Sequence, residues 1–301
     1  MLYLSTRNQA DSFTAHRALL NTRTTDGGMF IPMQFQRFSE RDLMRMKDMT
    51  FGEAVALVLN LFFDKKIDGR DVDLQVGRSP YRIITCNHRL IIAQLLESAV
   101  SEKAHFEKTV YKMIGGVVTS GESLPVWPKI AIRIAVLFAV YRELHSSGTL
   151  DFDVAVCADD FSAVIAAWYA IKMGLPAGKI ICGCDEGSGI WDLINRGEFA
   201  IGSTTAELEM LIFDAFGRKE TARYLDACNH GNIFKITDEQ RDLLQSQMFV
   251  AVSGQQRVKS IIKSVVNNTD SVLDAPAATA YCALQDYRHK TGESIATLIL
   301  M

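Results

Sequence analysis

Four acidic side chains at two turns pose the chemical question. Asp159 and Asp160 follow the apolar run Val154–Cys157, and Asp185 and Glu186 follow a second apolar run, Ile180–Cys184. A strand, a tight turn and a helix together present free N–H groups that can hold a phosphate. The first turn reads Ala158-Asp159-Asp160-Phe161-Ser162, with two carboxylates and no glycine. Like charges at about 4 Å repel by roughly 1 kcal/mol in water and several times that in a partly buried crevice. Asp160 suits helix capping, which competes for the amides a phosphate would use. As ligands, Asp159, Asp160, Asp185 and Glu186 would form an acidic pocket for a divalent cation or an amine. As structure they are caps and solvated turn residues, and that reading is preferred, so no metal is expected.

Other reactive side chains form no familiar constellation. The six histidines contain no H-E-x-x-H and no nucleophile–base signature, and His88 and His230 sit beside asparagines in turn-like contexts. The six cysteines fall mostly within apolar runs, which suits reduced, buried thiols and a cytoplasmic location. Cys182-Gly183-Cys184 lacks a usual zinc or redox spacing and reads as small residues in a strand. A formal net charge of −3 gives no reason to expect nucleic acid or an anionic membrane as partner. The apolar run Ile130–Tyr141 is short and broken by Arg133, so no membrane span is expected, nor does the opening read as a signal peptide.

The elements that must position these residues follow from periodicity. At 301 residues, 48% apolar and 22% charged, the chain can bury one large or two smaller cores. Helical spacing marks "SFTAHRALL" and "FGEAVALVLNLFF", with a Gly-Gly turn and a short strand at "DGGMFIP" between them. "PYRIITCNHRLIIAQLL" reads as two short strands around Asn87-His88, and a long helix covers about Pro125 to Leu144. Then strand 153–158, helix 162–173, strand 179–184 and helix 189–196 alternate, which implies a parallel pair with a right-handed crossover. The last third reads as helical, closing on the strand "SIATLILM". In such an α/β sheet the strand ends at Asp159 and Asp185 should adjoin, where ligands usually bind.

Several blocks, in order, resemble the threonine synthases. "YLSTRNQADSFTAHRALLNTRTTDGGMFIP" is similar to that family's opening, in which Y-x-S-T-R leads through a short helix to D-G-G-L-Y-V-P. "LPVWPKIAIRI", "AWYAIKMGLPAGKIICGCDEGSGIWDLINRGEF", "STTAELEMLIFDAFGR" and "VLDAPAATAYCALQDYRHKTGE" resemble later family segments. The resemblance implies a contracted tryptophan-synthase-β-like architecture, the fold type II of pyridoxal-phosphate enzymes. Residues 1–78 are expected to form a helical N-terminal domain and residues 79–301 the sheet domain, with most of the family's small domain missing.

The family's reaction converts phosphohomoserine and water to threonine and phosphate, and it needs a Schiff-base lysine, a phosphate cradle and a partner for the cofactor ring. The H-G-P-T-x-A-F-K-D lysine motif is absent; Lys103 lies nearest its place, with Ala104 in ungapped register. The family's T-G-N-F-G phosphate turn corresponds to Ala158-Asp159-Asp160-Phe161-Ser162, and the chain ends before the family's T-A-H-P-A-K-F segment. Ser5, Thr6 and Arg7 match the family opening and are expected to order the N-terminal segment. Trp127 and Lys129 match a substrate-side W-A-R, with Trp127 expected as a core anchor. A non-catalytic relative that binds a partner chain or a small amino-acid-like ligand, with no cofactor, is therefore expected. The alternatives are a shortened pyridoxal-phosphate enzyme using Lys103 or Lys108, and a sensor of threonine-pathway metabolites. Loss of the small domain should uncover apolar surface, and such surface often marks a subunit interface. Sedimentation at micromolar concentration should accordingly give an oligomer; a strictly monomeric species contradicts it.

Overall fold

The structure is a computed structural model that describes residues 1–8, 10–78, 80–86, 90–95, 103–119, 123–146, 148, 151–200, 206–269 and 273–300, with backbone alone at 86, 95, 103–105 and 266–269. The first elements are β1 (Leu2–Ser5), β2 (Phe13–Thr14), α1 (Ala15–Leu20), β3 (Phe30–Pro32), α2 (Glu40–Met46), α3 (Phe51–Phe62) and α4 (Gly69–Val76). Two strands, β4 (Tyr81–Cys86) and β5 (Leu90–Leu95), precede α5 (Lys103–Met113) and the long α6 (Val126–Ser146). An alternating stretch follows, with β6 (Phe152–Cys157), α7 (Phe161–Lys172), β7 (Ala177–Cys184), α8 (Gly189–Arg196) and β8 (Glu198–Phe199). The remainder comprises α9 (Ala206–Phe216), α10 (Arg218–His230), β9 (Phe234–Lys235), α11 (Asp238–Gln247), β10 (Met248–Val252), α12 (Gln255–Thr269), α13 (Ala275–Thr291) and β11 (Ala296–Leu300).

Residue contacts group the chain into two compact units, each discontinuous in sequence: 1–82 with 95–150 and 165–175, and 83–94 with 151–164 and 176–301. These limits are drawn by contact and differ from a single division after residue 78.

In the first unit, β1 pairs antiparallel with both β2 and β3. The N-termini of α2 and α3 carry reciprocal caps, Ser39 with Asp42 and Thr50 with Glu53, which satisfy otherwise orphaned amides. Trp127, near the start of α6, is 1% exposed and anchors the core, as its sequence context suggests. Its indole Nε1 donates to the Tyr3 hydroxyl at 2.9 Å, and that hydroxyl donates to the Phe62 carbonyl at 2.9 Å. The rings of Phe35, Phe62 and Tyr169 pack around the indole. A buried indole and phenol need such partners, because an unmet polar group costs about 1–3 kcal/mol.

The second unit is built on a six-stranded sheet of order β10-β7-β6-β11-β5-β4. The pairs β10/β7, β7/β6, β6/β11 and β11/β5 are parallel, including the neighbouring pair anticipated from strands 153–158 and 179–184. β6 is buried at every residue, as expected of a strand covered on both faces. Its one charged side chain, Asp153, sits where the β6/β7 register shifts, and its carboxylate accepts the Lys179 N–H at 2.7 Å. A bulge leaves ladder groups unpaired, and this carboxylate takes one of them.

Two features of the sheet escaped the periodicity. The terminal strand β11 does not lie at an edge but between β6 and β5, and β10, inside a stretch read as helical, forms the edge beside β7. β10 is a run of only five residues, too short for periodicity to separate from helix, whereas β11 was read as a strand and only its place in the sheet, set by pairing with β5 and β6, was not.

α12 and α13 cover one face of the sheet, burying Val258, Ile261, Ala278 and Leu284 against Ala155, Ile181 and Ile299. The Ala-rich first half of α13 lies so close to β7 that a Cβ at Gly183 would stand 2.2 Å from the Thr279 carbonyl oxygen. The Cys-Gly-Cys run thus reflects helix–sheet packing. Gly183→Ala is expected to destabilise the chain by about 1–3 kcal/mol, the usual cost of overpacking. A urea midpoint equal to that of the parent would show that α13 does not hold this approach.

Candidate functional site

The strand ends of β6 and β7 bring two turns together. The Ala158 N–H donates to the Gly183 carbonyl at 2.7 Å, which fixes the first turn against β7. Asp159 then projects outward and is exposed, and α7 begins at Phe161. Beyond β7, Asp185, Glu186 and Gly187 lead through Ser188 into α8. The two turns open on a cavity of about 340 Å³ whose lining includes Asp159, Asp185, Glu186, Phe161, Phe199 and Leu208. Asp160 directly precedes α7 and is not part of that lining.

The buried groups around this cavity are neutral or already engaged. Ser162, in the first turn of α7, is fully buried, and its hydroxyl donates to the Glu207 carboxylate at 2.7 Å. The Cys157 thiol donates to Asp159 Oδ2 at 3.4 Å, and burial pushes it up to about 12. Burial likewise pushes the Cys184 thiol up to about 11, with Asp159 and Asp185 adding to the shift. Neither is a thiolate near neutral pH, so neither is a ready nucleophile. Three carboxylates and no lysine or arginine line the cavity among the described residues.

Three members of the acidic quartet meet at the cavity. Asp159, Asp185 and Glu186 share the cavity, yet no group of three or more His, Cys, Asp or Glu side chains is placed to hold a metal ion among the described residues. Asp159, Asp185 and Glu186 are exposed, as solvated turn residues are.

The remaining predicted residues fall elsewhere. Lys103 is the first residue of α5, but its side chain, like that of Ala104, lies outside the described residues. Lys108 is half-buried on α5 and Lys129 half-buried on α6. His88 lies outside the described residues. His230 is exposed at the end of α10, with Nδ1 2.9 Å from the Asp226 carbonyl and 3.3 Å from its carboxylate. Glu207 was missed by the sequence reading. The signal available was an acid in the first turn of a helix after a Ser-Thr-Thr run, and nothing local points that acid at Ser162.

Ser5, Thr6 and Arg7 belong to a compact polar node in the first unit. The Ser5 hydroxyl donates to Asp26 Oδ1 at 2.8 Å, and the Gly28 N–H donates to the same oxygen at 3.1 Å. Thr24 also donates its hydroxyl to Asp26. The Met29 N–H donates to Thr6 Oγ1 at 2.8 Å, and the Arg7 N–H to Ser5 Oγ at 3.1 Å. A Cβ on Gly28 would meet Ser5 Oγ at 2.1 Å, so the second glycine of D-G-G admits the node. Burial raises the Asp26 carboxyl, but the bonds from Thr24, Gly28 and Ser5 outweigh it and hold the group below its ordinary value. The node orders the turn between β1 and β3.

The fold, with its turns gathered at the strand ends of an α/β sheet, is shared with solved threonine synthases. The solved structure of pyridoxal-phosphate-bound threonine synthase from Brucella melitensis superposes with a TM-score of 0.77 at 15% identity, covering 100% of this chain and 88% of that one. Threonine synthase from yeast gives 0.77 at 13% identity, over 99% and 86%. In sequence, the family described as threonine synthase N terminus matches residues 2–79. Human threonine synthase-like 1 is 28% identical over 89 residues, a match covering 28% of this chain and 12% of that relative's length. The chain thus resembles the threonine synthases, in sequence over residues 2–79 and in fold throughout, and its sequence match spans only 12% of the curated relative's length.

The Asp26 node carries a pH signature. A carboxyl held low in the folded state stabilises the fold above the unfolded value, about 3.9, and that stability is lost as pH falls through the folded value. Asp26→Asn should lower the melting temperature at pH 7, with the gap to the parent closing below about pH 4. A gap that stays constant from pH 7 to pH 3 refutes the charged hub.

Proposed function

We propose that the chain is a non-catalytic threonine-synthase-like protein that acts by binding a partner chain or a small amino-acid-like ligand, without pyridoxal phosphate. The observation that carries this reading is the Ser162–Glu207 hydrogen bond, which commits the first turn of α7 to an internal carboxylate. In the resemblance described above, that turn corresponds to the cofactor's phosphate cradle. The residues present do not fit a phosphate dianion. Asp159 borders the same cavity as a further negative charge, and each like charge within about 4 Å adds roughly 4 kcal/mol of repulsion at a surface-like dielectric. No lysine lines the cavity among the described residues to form a Schiff base or offset that charge. The chemistry the cofactor supplies, withdrawal of electrons from an amino-acid substrate, therefore has no support in this lining.

The protein should show no internal-aldimine absorbance after incubation with pyridoxal phosphate, and it should not rescue a threonine auxotroph. A cofactor band abolished by borohydride, with the label on Lys103 or Lys108, overturns the reading in favour of a shortened threonine synthase or related lyase. A thermal-shift panel of homoserine, phosphohomoserine and threonine tests whether the ligand is a metabolite of that pathway.

A further inference from the structure

Among the described residues, β10 is an edge strand whose outer side is only partly covered. It reads Met248-Phe249-Val250-Ala251-Val252, with no proline and no charged residue, the devices by which proteins usually blunt an edge. Among the described residues its one strand neighbour is β7, in parallel register from Met248↔Ile180 to Val252↔Cys184. The Ser253 N–H continues that ladder, donating to the Cys184 carbonyl at 2.9 Å. Because peptide groups alternate sides along a strand, Phe249, Ala251 and Ser253 turn theirs toward β7, and Met248, Val250 and Val252 turn theirs outward.

The outward groups are only partly met. The Met248 N–H is taken by the Leu244 carbonyl at the end of α11. The Val250 carbonyl accepts the side-chain amide of Asn195, from α8, at 3.3 Å. That amide stands where a neighbouring strand's N–H would be. The N–H groups of Val250 and Val252 take no partner among the described residues.

A groove of about 420 Å³ runs along this edge. α8 contributes Trp191 and Asn195 to its lining, α13 contributes Asp286 and Lys290, and four successive residues of β10, Phe249 to Val252, lie between them. Four residues of extended chain span about 13 Å, which matches that length of strand. The charges are not balanced. Both Asp286 oxygens are held by Arg257, at 2.7 and 2.8 Å, whereas Lys290 lies over the Phe249 ring at 5.7 Å and meets no carboxylate among the described residues.

We propose that β10 accepts an extended segment of a partner protein as a seventh strand, apolar at alternate positions and acidic at the end that meets Lys290. With Asp286 held by Arg257, Lys290 is the charge of the lining left to meet an acidic flank, and the groove lies between α8 and α13 along the bare part of the strand. A second copy of this chain would bring its own α8 and α13 against the same helices, so a β10–β10 dimer is disfavoured. The proposal does not rest on the absence of cofactor chemistry, since an edge strand would serve equally in an active enzyme.

Fluorescent seven-residue peptides of alternating Val and Thr, with Asp or with Lys at one end, provide the probe. The Asp-ended peptide should bind at least tenfold more tightly than the Lys-ended one, and slow hydrogen exchange at the Val250 and Val252 amides. Val252→Pro removes an outward N–H without touching the β7 ladder, so it should abolish binding while leaving the circular dichroism unchanged. Should that variant misfold, Lys290→Glu, at an exposed position, should reverse the preference between the two peptides. Failure of both peptides to bind, or binding that ignores either substitution, overturns the proposal. So does a dimer that Val252→Pro dissociates, because the occupant is then a second copy.

Discussion

The close seating of α13 on β7 sets the terms for the second unit. With no side chain at Gly183, the α13 backbone at Thr279 approaches to a distance that a single methyl group would forbid. That approach lets the small residues Ala277, Ala278 and Ala280 seal the sheet without large side chains. Beside it, the β6/β7 register, Cys157 opposite Gly183, and the Ala158–Gly183 hydrogen bond bring the two strand ends together. The candidate site is a consequence of this alignment. Two turns meet there because the strands beneath them are held in register.

What the turns carry then decides what they can bind. A helix N-terminus presents a partial positive charge that an anion can satisfy, and here an internal anion is available. Glu207 reaches the buried Ser162 hydroxyl from α9, which removes any need for a ligand to fill that role. Asp159, Asp185 and Glu186 extend the same sign of charge around the cavity while the neighbouring thiols stay protonated. The result is a crevice shaped like a ligand site but with the charge of a solvated surface.

Much of this was legible in the sequence because the signals are local. Helical spacing and capping residues located α3, α6, α7 and α8 to within one or two residues, and the apolar runs located β6 and β7. The carboxylates of the α7 turn were visible in the chain itself. Other features depend on partners far along the chain and leave no local mark. Glu207 finds Ser162 across 45 positions, and β11 enters the middle of the sheet because β6 and β5 leave a gap that only the assembled fold defines. The short, apolar β10 has too few residues for period two to be told from period 3.6.

The N-terminal node gives a folding reason for the residue types of the N-terminal signature. Ser5, Thr6, Thr24, Asp26 and the two glycines close a set of polar groups that would otherwise be buried and unmet. Loss of any one member strands its partners, at about 1–3 kcal/mol for each buried group left unpaired. The node therefore constrains those residue types through folding alone. The α7 turn carries no comparable constraint, because a carboxylate caps a helix as well as a glycine-rich turn opens one. Resemblance in residues 2–79 thus speaks for a shared way of folding the first segment. The strand ends answer to a separate set of residues, among them the carboxylates of Asp159, Asp185 and Glu186.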